Sequence, residues 1–275
     1  MQLFGAGDRE AIRAPRKPHN EKRPRGEIAG IPGKCRGSLI ANRRAKGVGS
    51  RGRRSISRVS SRTPWSGHAL YTKAFLSAYD WFALGLHCRF VWQCPPSHVL
   101  ELYDQHISRN HLDIGVGTGY FLDKCRFPTE HPRLVLVDIN PNSLAVAQKR
   151  LKRYHPQVHR RDILEPLCID APGFDSIGLS HLLHCLPGTM DTKGTVFQNI
   201  MPLLNPGGVV FGTTFLYEGI KSNPLAKYMF WWTNLLGFMT NKQDSMDGLA
   251  QNLRRYFSAS HIESRGCGAL FWALK

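Results

Sequence analysis

The stretch HLDIGVGTGYFLDK (111–124) constrains this chain more than any other: an apolar run reaching Asp113 is followed by glycines at 115, 117 and 119. A strand end this bare of side chains serves two needs. Glycine permits positive φ in a tight turn, and it lets backbone N–H groups approach a ligand with no Cβ in the way. The turn therefore predicts a strand, a sharp reversal, and a small molecule lying over the reversal at the carboxyl end of the sheet.

Short apolar runs then alternate with helical stretches. RLVLVDI reads as a second strand, NSLAVAQKRLKRY as a helix and VHRRDIL as a third strand. GFDSIGLSHLLHCLP reads as a fourth strand running into a helix, KGTVFQNIMPLL as a helix closed by the glycine-rich cap NPGG, and VVFGTTFL as a fifth strand. MDGLAQNLRRYF adds a helix and HIESRGCGALFWAL two closing strands. Alternation at this pitch requires parallel strands joined by right-handed crossovers, hence an open α/β sheet covered on both faces.

The ligand class is narrowed by what the turn lacks. A dinucleotide fingerprint needs G-x-G-x-x-G, but Tyr120 stands where its third glycine would be, and no Gly-Lys-Ser/Thr ending is present for a phosphate loop. Strand two ends at Asp138, 19 residues beyond Gly119. A carboxylate there can accept two hydrogen bonds from a ribose diol. Strand three leads to Asp162, whose carboxylate or neighbouring backbone is within range of an adenine amine.

The set LDIGVGTG, LVDINPNSLAVAQKRL, RRDILEP, FDSIGLSHLLHCLPG and LNPGGVVFGTTFL, in this order over roughly 111–216, resembles the class I S-adenosylmethionine-dependent methyltransferases, and among them the small-molecule enzymes of fungal natural-product clusters. The resemblance implies a doubly wound, mostly parallel seven-stranded Rossmann-like sheet with N-terminal helices and a helical cap insertion at about 217–245. It implies S-adenosylmethionine as cofactor, with Asp113, Gly115, Gly117 and Gly119 around its methionine part. Asp138 would bind the ribose and Asn140 lie near the adenine, which Asp162 and Ile163 would flank. Ser180 would sit near the sulfonium, and Tyr79 in AYDWF would contact the cofactor's carboxylate.

Methyl transfer needs alignment above all, since the leaving group is already good. A phenol or carboxyl acceptor must also lose a proton, which histidine suits near neutral pH. His181 and His184 are the candidate bases by position, with a packing role as the alternative for His184. Tyr228, Phe230, Trp231, Trp232 and Phe238 are expected to line an apolar substrate cavity under the cap, or else to pack on the sheet or pair two subunits as a homodimer. The signatures of base-nitrogen, cytosine-carbon, protein-arginine and metal-dependent catechol methylation are missing, so the expected acceptor is a nitrogen or oxygen of a secondary metabolite or a cyclic peptide.

The formal charge of +17 belongs mainly to residues 1–64, where 17 Lys+Arg and 4 Asp+Glu give a net +13 and leave +4 for residues 65–275. This Arg-, Gly-, Ser- and Pro-rich tail has no periodic apolar face and is expected to be disordered. A rival reading gives it the work of holding RNA or protein for methylation, although nucleic acid is not the partner favoured. Seven cysteines without metal-ligand spacing, and no apolar leader, suggest reduced thiols in the cytoplasm. The longest apolar stretch, LAKYMFWWTNLLGFM, is too short and interrupted to span a bilayer. The expectation is therefore a catalytic domain over 65–275 with no metal and no membrane partner.

Overall fold

A computed structural model describes residues 88–169 and 173–275. The basic tail, Tyr79 and most of the region expected to form the N-terminal helices lie outside the described residues.

Seven strands form one sheet: β1 (Asn110–Ile114), β2 (Arg133–Asp138), β3 (Gln157–Arg160), β4 (Phe174–Ser180), β5 (Leu204–Phe215), β6 (Ala259–Arg265) and β7 (Gly268–Leu274). Their order is β3-β2-β1-β4-β5-β7-β6. The first five are parallel, and β7 runs antiparallel to both its neighbours. The chain winds outward from β1 through β2 to β3, then returns to place β4 on the other side of β1. Such a reversal point opens a crevice at the strand ends.

Side-chain alternation sorts the sheet into two apolar layers. Leu112, Ile114, Val135, Val137, Ile177 and Leu179 face one core. Leu134, Leu136 and Phe211 face the other, together with Val99, Leu102 and Tyr103 of helix α1 (Pro96–His106). Central parallel strands are covered on both faces, so they read as continuous apolar runs. Each fully buried Leu or Val contributes roughly 1.5–3 kcal/mol.

Other short helices connect the strands: α2 (Tyr120–Lys124), α3 (Pro141–Arg150), α4 (Met190–Lys193) and α5 (Thr195–Ile200). α6 (Pro224–Leu235) and α7 (Met246–Tyr256) complete the set. Two local expectations are corrected. NPGG does not cap a helix: the helical stretch ends in a 3₁₀ turn at Met201–Leu203, and Asn205–Gly208 already belongs to β5. Pro206 carries no N–H with which to continue a helix. The ammonium of Lys275, donating to the carbonyls of Met201 and Leu204, satisfies the helix end instead. Likewise β4 leads into a 3₁₀ turn at Leu183–Cys185 rather than a full helix.

Candidate active site

A cleft of about 1080 Å³, open mouth included, lies beyond the carboxyl ends of β1, β2 and β4. Its floor is the glycine turn. Gly115 sits at φ +74°, and a Cβ there would meet the Leu182 side chain at 2.8 Å. Gly117 sits at φ +54° with nothing within 4 Å of where a Cβ would stand, so its bare backbone faces open space. Both conformations disfavour L side chains.

Beneath the turn, Asp113 is held in a buried polar chain. The Tyr103 hydroxyl donates to Asp113 Oδ2 at 2.8 Å, and His111 Nε2 lies 3.4 Å from the same oxygen. His111 Nδ1 contacts Ser176 Oγ at 2.8 Å, which accepts the Ser108 N–H at 2.9 Å. Burial, then the Asp113 charge, pushes the Tyr103 phenol well above its ordinary pKa of 10, so it remains a donor. Gly178 on β4 makes the room, since a Cβ there would stand 2.5 Å from Asp113 Oδ2. Neither Tyr103 nor His111 was anticipated from sequence. The signal was an aromatic on the apolar face of HVLELYDQHI and a histidine in phase with Asp113 on one strand face.

At the end of β2, Asp138 Oδ1 accepts the Asn140 N–H at 2.8 Å and Oδ2 the Gly117 N–H at 3.4 Å. Burial raises this carboxyl to about 6, against the opposing pull of those N–H groups. Asn140 caps α3 by accepting the Asn142 N–H at 2.8 Å. Asp162 Oδ1 accepts the Leu164 N–H at 2.9 Å, fixing a turn that carries the buried Ile163. All four residues line the cleft.

Ser180 and His181 form the facing wall. His181 takes φ +56°, and its N–H donates to the Thr213 carbonyl at 2.8 Å. Its ring lies 5.7 Å from that of Phe121 and 5.1 Å from that of Phe215. Burial lowers the imidazole to about 4, so it is neutral at physiological pH. His181 Nε2 is buried with no hydrogen-bond partner among the described residues, and the buried Ser180 side chain lies against the Tyr103 hydroxyl. His184, grouped with His181 on sequence, does not border the cleft. Its Nδ1 accepts the Phe215 N–H at 3.2 Å, and burial, with His181 and Lys193 nearby, holds it well below its usual pKa.

Behind this wall, Lys193 Nζ donates to Asp244 Oδ2 at 2.6 Å and to the Thr240 carbonyl at 3.1 Å, both charged side chains being fully buried. The Thr240 N–H donates to the His184 carbonyl at 2.9 Å. The pair thus ties the connection between α6 and α7 to α4, and the Thr240 N–H ties it to the turn that follows β4.

The cap helix differs from expectation. Of the aromatic residues of α6 only Phe230 turns inward, its ring 4.6 Å from Trp92 and 5.3 Å from Tyr217. Tyr228, Trp231 and Trp232 face outward, and Phe238 is half-buried. None of these five borders the cleft, because the apolar residues run round the helix and the inward stripe is narrow: Ala226 and Phe230. Among the described residues, no group of three or more His, Cys, Asp and Glu could hold a metal ion, and no helix is long and apolar enough to cross a membrane.

Residues 112–210 match a family model described as a methyltransferase domain. The chain is 40% identical over 207 residues to demethylluteothin O-methyltransferase of Streptomyces thioluteus, covering 75% of this chain and 90% of that protein. It is 35% identical over 211 residues to the physcion biosynthesis cluster O-methyltransferase of Aspergillus chevalieri, covering 76% and 95%. The solved DhpI–SAH complex is similar in fold, with a TM-score of 0.55 at 17% identity over 76% of this chain and 95% of that one.

Proposed function

The chain belongs to the class I S-adenosylmethionine-dependent methyltransferases, and from that premise we propose that it moves a methyl group from S-adenosylmethionine to an oxygen or nitrogen of a small metabolite. The observation that carries this reading is the asymmetry of the cleft. One end presents carboxylates braced from within, while the other presents a buried imidazole nitrogen, His181 Nε2, with no partner among the described residues.

The residues fit the cofactor. Asp138 keeps both oxygens oriented by backbone N–H groups, leaving lone pairs for a ribose diol. Asn140, Asp162 and Ile163, which line the cleft, would bracket the adenine ring. Asp113, locked by Tyr103, serves the amino end beside the bare Gly115–Gly119 turn. When bound, S-adenosylmethionine supplies an electrophilic methyl carbon on a sulfonium, with a neutral thioether as leaving group.

Ser180 and His181 address the acceptor. A neutral imidazole in this dry wall accepts an O–H or N–H at Nε2 and fixes the acceptor's lone pair in line; its low basicity makes orientation its main contribution. His184 holds the end of β5 and does not touch the reacting groups. The relatives' names, both O-methyltransferases, support oxygen as the acceptor atom.

The test uses the full chain with methyl-labelled S-adenosylmethionine and an extract of the producing cells, followed by chromatography with mass detection. Label in a single low-mass product is expected. Label confined to RNA or protein, or no cofactor binding by calorimetry, overturns the reading.

A further inference from the structure

The outward face of α6 is apolar from end to end. Leu225, Tyr228, Trp231, Trp232 and Leu235 follow one another at three- and one-residue steps along one side of the helix, and each is at least 41% exposed. The opposite side already buries Ala226 and Phe230. Phe90, 62% exposed, adjoins the start of this face, its carbonyl 3.5 Å from Asn223 Nδ2. A helix on a protein surface ordinarily turns polar residues outward. A contiguous exposed apolar face marks an interaction site.

The surroundings are basic. Arg89, Lys221, Lys227 and Lys242 are exposed on α6 or the segments flanking it. The segment 217–245 has two acids, of which Asp244 is buried against Lys193 and Glu218 alone is exposed.

We propose that this face docks on the surface of an anionic lipid bilayer, with α6 lying in the plane of the headgroups. Trp and Tyr rings settle at headgroup depth, where an apolar body meets a polar edge. Lysines and arginines flanking such a helix pair with acidic headgroups. At 12 residues α6 is about 18 Å long, suited to lying on a bilayer rather than crossing it. One shallow contact binds a membrane weakly, and stable attachment takes two signals. The tail supplies the second: residues 1–64 carry a net +13, a charge that anionic membranes attract. A second copy of the chain is the poorer occupant, because a symmetric contact would bring two basic rims together.

The docking face is joined to the acceptor wall. Phe230 packs against Trp92, Trp92 stacks on Phe215, and Phe215 packs against His181, with ring centroids 4.6, 5.0 and 5.1 Å apart. An enzyme seated this way draws acceptors from the lipid phase.

The experiment is co-sedimentation of the full chain with phosphatidylcholine vesicles, with and without phosphatidylserine, read together with tryptophan emission. Binding to the phosphatidylserine vesicles and a blue shift are expected. The exposed double variant Trp231→Ser/Trp232→Ser should bind about tenfold less at unchanged thermal midpoint and cofactor affinity. Arg51→Gln/Arg53→Gln/Arg54→Gln should weaken binding by a smaller factor that high salt abolishes. Wild-type protein that stays in the supernatant with both vesicle types overturns the proposal, as does a double variant that pellets undiminished. A dimer seen by ultracentrifugation, lost in the double variant with no vesicle binding by either protein, would assign the face to a second copy and overturn it equally.

Discussion

At the β1–β2 end of the cleft, the carboxylates proposed to hold the cofactor are held from inside the protein: Asp113 by Tyr103, and Asp138 by the N–H groups of Asn140 and Gly117. At the β4–β5 end, His181 Nε2 has no partner among the described residues, and an ion pair buried behind it does the bracing. The difference separates two kinds of preorganisation. A nucleotide offers the same hydrogen-bonding groups at every turnover, so its site can be completed in advance. Acceptor chemistry varies, so a wall proposed to meet the acceptor keeps an unsatisfied nitrogen and takes its rigidity from further back, at the cost of burying charge.

The largest expected effect tests that rearward bracing. Lys193→Met leaves Asp244 charged and buried, with its Oδ1 already lacking a partner, and should cost about 3–5 kcal/mol in urea unfolding. Lys193→Met/Asp244→Leu should recover most of that loss. If the double variant is as unstable as the single, the pair is not what stiffens the wall. Next in size, Asp138→Ala should weaken S-adenosylmethionine binding roughly a hundredfold by calorimetry, with little change in thermal midpoint. A small effect would mean that the backbone turn, not the carboxylate, holds the nucleotide.

The two histidines sharpen the contrast further. His181→Asn should lower kcat about tenfold with cofactor affinity retained. His184→Leu should instead reduce stability by about 1–2 kcal/mol, because it removes the acceptor for a buried Phe215 N–H. Equal kcat losses in both would undo the distinction.

The smallest effect is the pH response, in which the two ends oppose each other. His181 is held at about 4 when folded, against an ordinary 6.5, so the unfolded chain binds the proton more tightly. Its contribution to stability is therefore lost as pH falls from 6.5 toward 4. Asp138, raised from 3.8 to about 6, binds its proton more tightly when folded, so its contribution to stability grows as pH falls through that window. Cofactor affinity should nonetheless drop about tenfold per unit below pH 6, as the carboxylate is lost. Denaturation midpoints of His181→Asn and Asp138→Asn across pH 4–7 should diverge from wild type in opposite senses. Shifts of the same sign would refute the assignment.

What could be read from the chain was what adjacent residues determine. The glycine turn, Asp138 at a strand end and the strand–helix rhythm are local patterns, and they sufficed to locate the cleft. Tyr103 and Asp113 are ten residues apart and meet only because α1 packs across β1. Lys193 and Asp244 are 51 apart, and nothing near either announces the other. α6 was misread for a different reason: aromatics at helical spacing specify that a face exists, but not whether it turns toward the cleft or away from it. NPGG failed because proline and glycine punctuate strands as well as helices, and the actual cap comes from Lys275 at the far end of the chain.

Gly178 carries a historical consequence. An alanine there would press its methyl against Asp113 Oδ2, 2.5 Å away, and crowd His111 behind it. The two positions are thus epistatic: a larger residue can enter at 178 only in a lineage that has already surrendered the acid at 113. Once it has entered, the acid cannot return until the glycine does. A position with no side chain works in this way as a ratchet on how the neighbouring site can evolve.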